Sequence, residues 1–190
     1  MINQLIHDVA LWLDSTQWST MLHESFYMYN WVETTHVLSL MLSLGLLFII
    51  DLRMLGLALT DIPASKIANK LTLPMLIGFS LMVITGVLLV YAIPVRSSQS
   101  VWLRLKIILL AVAAVNAYLF HQKMTQSVGS WDIEERAPIR LRIGAVVSIG
   151  CWVLVAIFGR FIAYDWYDCA RQPSGLVAVF AGCIDGQVQF

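Results

Sequence analysis

Four histidines, at positions 7, 23, 36 and 121, are the side chains of this sequence best suited to hold a metal or a prosthetic group. One of them, His36, opens a long apolar run, HVLSLMLSLGLLFII. A polar group inside such a run is costly in a bilayer and is there for a function or a partner. On a helix, Glu33, His36, Ser39 and Ser43 fall on one side by their three- and four-residue spacing, a polar stripe expected to face a protein interior. A haem iron held by two imidazoles needs both at one depth. His36 lies near the start of an inward-running helix and His121 ends another. At ~1.5 Å per residue their depths differ by roughly 20 Å, so they cannot share an iron. The candidate ligand sets are therefore an outer haem b site made by His36 with His23, and an inner site at His121 that needs a methionine, a water or a partner chain.

Arg104 and Lys106 lie near the level of His36 and are candidates to neutralise haem propionates, for which a guanidinium fork is well shaped. The competing expectation is that they snorkel to lipid headgroups. Arg53, Arg140 and Arg142 stand in the same relation to His121, or serve as basic anchors of the inner loops. Ala114 and Ala117 share a face with His121 and leave room either for a flat porphyrin or for close helix contact. A copper site from His7, His23 and His36 is a remoter reading. Only Glu33 and Asp51 are acidic in the first span, which makes an ion path a weaker one. Cys151, Cys169 and Cys183 have no zinc-ribbon spacing, and no nucleophile elbow, P-loop, HExxH or dinucleotide-binding turn occurs.

Helices across a membrane must position these residues. The chain has 190 residues, 59% of them apolar and 13% charged, and a mean hydropathy of +0.76. Its formal net charge is zero, which argues against a nucleic-acid partner. The expected fold is all-α: an integral membrane four-helix bundle with an N-terminal amphipathic interfacial helix. Ile2, Leu5, Ile6, Val9 and Leu13 recur at helical spacing within an interfacial segment over 1–30, followed by a belt of Trp12, Trp18, Tyr27, Tyr29 and Trp31. Spans are expected at about 31–53, 71–93, 101–121 and 143–164, near the roughly 20 residues that cross the hydrocarbon core. Residues 165–190 form an outer tail, and the whole reads as a single membrane domain.

The loops after the first and third spans hold Arg53, Lys66, Lys70, Lys123, Arg136, Arg140 and Arg142, and the first 30 residues hold no Lys or Arg. Both termini are expected outside, without a cleaved leader. Cys169 and Cys183 then share an oxidising compartment where a bond between them is permitted, and Cys151 is expected as a buried thiol.

The segments HVLSLMLSLGLLFIIDLRMLG, GFSLMVITGVLLVYAIP, LKIILLAVAAVNAYLFH and SIGCWVLVAIFGRFIAY resemble a family of four-helix bacterial inner-membrane proteins of unknown function. His36, Asp51-Leu52-Arg53, Asn116 with His121, and Gly159-Arg160 are its most specific marks here. The resemblance covers most of residues 31–164 and implies the architecture and a multi-pass location in a bacterial inner membrane. More loosely, the arrangement is similar to small b-type cytochrome subunits, though those offer two matched histidine pairs and this chain at most one. The expected function is a membrane-embedded redox subunit that binds haem b and passes electrons between the quinone pool and an outer partner. The alternative is a non-catalytic subunit that anchors or assembles a larger complex of membrane or periplasmic proteins.

Overall fold

The computed structural model describes residues 2–164, 169 and 175–183, and of residues 125–128 and 130 the backbone alone. The described chain is helical throughout its ordered elements, with no strand among the described residues. In chain order the helices are α1 (Ile2–Asp14), α2 (Gln17–Glu24), α3 (Met28–Leu55), α4 (Ala64–Ala92), α5 (Pro94–Ser98), α6 (Val101–Trp131), α7 (Ile139–Tyr164) and α8 (Leu176–Ala181). Four of them, α3, α4, α6 and α7, are long and apolar enough to cross a membrane, so the chain is a multi-pass membrane protein.

Their bounds differ from the expected spans where a distant residue sets the helix end. The second span begins seven residues early, at Ala64. Its start is capped by Asp132, whose carboxylate accepts from the Ser65 backbone N–H at 2.7 Å and from the Ser65 hydroxyl at 2.6 Å. The third span continues ten residues past His121 to Trp131, an indole only 3% exposed and packed in a core with Ile50, Met54, Ile67 and Leu141. The α2 helix was not expected. Thr16 caps it, accepting from the Ser19 N–H at 3.4 Å, and Thr16 also shares a 2.6 Å hydrogen bond with the Tyr91 hydroxyl.

The chain divides into two compact units: 1–36, 83–108 and 156–190 make one, and 37–82 with 109–155 the other. In the first unit, α1 turns two of its polar residues toward the protein and most of its apolar ones away. Asn3 and His7 are half-buried and Ala10 is buried, whereas Ile2, Leu5, Val9 and Trp12 are exposed. His7 Nδ1 pairs with Gln99 Nε2 at 3.2 Å, tying α1 to the segment after α5. Cys169 is joined to Cys183, with their Cα atoms 5.4 Å apart, and Cys151 is a buried free thiol in the second unit.

Candidate functional site

The His36 ring in the first unit is half-buried on α3. Its Nδ1 lies 3.0 Å from the Thr85 hydroxyl on α4. The next residue, Gly86, faces the same ring: a Cβ built there would stand 3.1 Å from His36 Cε1. Glycine at 86 therefore lets α4 approach the imidazole closely, and Thr85 fixes how the ring is turned.

The other candidates are placed unequally around it. His23, in the last turn of α2, is exposed. Lys106 on α6 is half-buried, and its Nζ lies against Gly159, 3.2 Å from where a Cβ would sit. Arg104 turns its guanidinium elsewhere. Nε and Nη2 donate to the Ser98 carbonyl at 3.2 and 3.1 Å, and Nη1 donates to the Phe180 carbonyl at 2.9 Å and to Asn3 Oδ1 at 3.3 Å. These bonds clasp α6 to α1 and α8. Trp102 stacks on Phe158 and Phe161, with ring centroids 5.3 and 4.8 Å apart.

The second unit carries a different polar system. His121 is exposed in the interior of α6, not at a helix end. Ser39 and Ser43 are 5% and 0% exposed, and the Ser43 hydroxyl donates to the Ser39 carbonyl at 2.7 Å. Glu33, expected on the same inward stripe, belongs to the first unit and is exposed instead. It sits in the second turn of α3, where an ionised carboxylate stays in water or headgroups more cheaply than in a core. Asn116 donates to the Gly144 carbonyl at 3.0 Å, drawing α6 to α7.

Arg53 is the residue that the sequence placed least well. It is 0% exposed, and its bonds among the described residues go to backbone carbonyls. Its Nε donates to the Ile62 carbonyl at 2.9 Å, Nη1 to Glu135 at 3.2 Å, and Nη2 to Glu134 at 3.0 Å and Asp132 at 3.4 Å. One guanidinium thus ties the end of α3 to the loops before α4 and before α7. Gly56 lets those loops meet: its φ is +73°, and a Cβ there would come within 2.5 Å of Arg136 Cγ. Two residues before Arg53, Asp51 is 3% exposed and bonded by Ser148, and its Oδ2 has no hydrogen-bond partner among the described residues. Arg140 is exposed and Arg142 half-buried.

Among the described residues, no three of His, Cys, Asp and Glu converge as a metal-holding group, so His7, His23 and His36 are not gathered for copper. The chemistry on offer is that of single imidazoles with oriented rings, together with buried cations. No curated protein and no solved structure matches the chain. A family model does, over residues 23–165, a stretch that includes all four long helices, His36, Thr85, Arg53 and Lys106. The chain belongs to the family of unknown function DUF6644.

Proposed function

We propose that this chain is a membrane-embedded redox subunit that holds b-type haem on His36 and passes electrons between the quinone pool and an outer partner. The observation that supports it is the 3.0 Å pairing of His36 Nδ1 with the Thr85 hydroxyl. A histidine that ligates a metal characteristically gives its second ring nitrogen to such a neighbour, which fixes tautomer and orientation. With Nδ1–H donated to Thr85, Nε2 is the ring nitrogen that would bind iron. Gly86 removes the side chain that would crowd the ring. Haem, when bound, supplies reversible one-electron chemistry. His23 is the candidate second ligand, and Lys106 the cation for a propionate. Arg104 is directed to Ser98, Phe180 and Asn3, at α1 and α8, so Lys106 is the candidate for that role.

The test is the visible spectrum of protein purified from haem-replete cells, oxidised and reduced. Soret and alpha bands are expected, and His36→Ala should abolish or shift them while insertion is retained. A colourless wild type would overturn the proposal. It would favour the second reading, a non-catalytic anchoring or assembly subunit. That reading draws support from how many intramembrane polar groups are spent on the fold itself, as with Ser43, Asn116 and Arg104.

We further propose that the protein sits in a bacterial inner membrane with both termini periplasmic. The Cys169–Cys183 bond supports an oxidising compartment for the C-terminal segment, and the basic residues of the loops after α3 and α6 support a cytoplasmic face there.

A further inference from the structure

A groove of about 870 Å³ opens on the first unit between α1, α6 and α8. Its walls include Ile6, Leu105, Ile108, Val177 and Phe180, and Arg104 is the one charged residue lining it among the described residues. The volume is in the range of small-molecule sites, and the lining suits a hydrocarbon chain.

Arg104 decides what else the occupant must carry. Among the described residues all of its acceptors are neutral: the carbonyls of Ser98 and Phe180 and the amide oxygen of Asn3. They hold the guanidinium still without cancelling its charge. A guanidinium has five N–H donors, and these bonds use four, leaving one Nη2–H uncommitted among the described residues. A fixed cation on an apolar wall calls for an anion joined to an apolar body. Because its side chain is already ordered by the protein, little further entropy is lost when the anion arrives.

We propose that this groove binds one anionic phospholipid, its phosphate on Arg104 and an acyl chain laid along Leu105 and Ile108. A guanidinium is a good phosphate donor, and the groove lies at the N-terminal end of a helix long and apolar enough to cross a membrane, where headgroup and chain meet. A neutral quinone would satisfy the walls but leave the cation without a counter-charge.

Native mass spectrometry of the full chain in detergent tests this, with phosphatidylglycerol and phosphatidylcholine of identical acyl chains as probes. Wild type should retain phosphatidylglycerol about tenfold more than phosphatidylcholine, because both phosphates can accept from Arg104 but the choline ammonium cancels the net charge that the fixed cation selects. Arg104→Gln should bring the two lipids level. Ile108→Trp, which keeps the cation and fills the groove, should lower phosphatidylglycerol retention by a similar factor and covers the case in which Arg104→Gln fails to fold. Equal retention by wild type would overturn the proposal, as would a preference that survives in either folded variant. Displacement of phosphatidylglycerol by a short-chain quinone or by millimolar inorganic phosphate would also overturn it, by assigning the site to a quinone or to a free anion.

Discussion

Arg53 holds four backbone carbonyls with one side chain. Replacing it by methionine keeps much of the volume but strands those acceptors, each worth roughly 1–3 kcal/mol where water cannot reach. Arg53→Met is expected to cost about 3 kcal/mol, read as a fall in the unfolding midpoint in detergent. Arg53→Lys should recover little, because an ammonium cannot address carbonyls on three sides of a planar fork. An unchanged midpoint would show that the clasp is dispensable. Gly56→Ala strains the same junction, through its φ of +73° and through the approach of Arg136. At His36 the residue scale reads differently. Thr85→Val removes the Nδ1 partner while keeping the shape, so the haem reading expects a shifted midpoint potential or alpha band with the Soret band retained.

Helix ends carry the next set of expectations. Asp132→Ala should fray the first turn of α4 and cost about 1 kcal/mol, with Asp132→Asn nearer wild type, because the cap needs an acceptor more than a charge. Protection of the Ser65 and Lys66 amides against hydrogen exchange is the direct readout, and unaltered protection in Asp132→Ala would refute the assignment. The four spans themselves were legible from the sequence, because each is a run of apolar residues that no soluble element would need. The start of α4 and the end of α6 were not legible, since one depends on a carboxylate 67 positions away and the other on a tryptophan buried against three other helices. The α2 helix was hidden for a similar reason. Eight residues, QWSTMLHE, have little helical signal, and the Thr16 cap and the Ser19 bond to the Tyr91 carbonyl hold them from outside. His36 could be picked out by type and burial, but Thr85, 49 positions on, could not be paired with it by any local pattern.

For the whole molecule, orientation is the quantity to measure. Glu134, exposed in the loop before α7, should resist an impermeant thiol reagent in intact cells as Glu134→Cys and react after lysis. Labelling from outside would invert the topology. The Cys169–Cys183 bond should show as a mass gain on reduction and alkylation, and its loss should cost about 3 kcal/mol, the loop-closure worth of a bridge spanning 14 positions. The Arg53 clasp has a further consequence during synthesis. Three of its four acceptors lie at residues 132–135, so when α3 and α4 have entered the bilayer the guanidinium has only Ile62, and α4 has no cap. The nascent chain must wait for the end of α6 before its first hairpin is complete. A polypeptide stopped after residue 121 is thus half a lock, with an unmated cation at a membrane boundary and an open helix end for a quality-control protease to find.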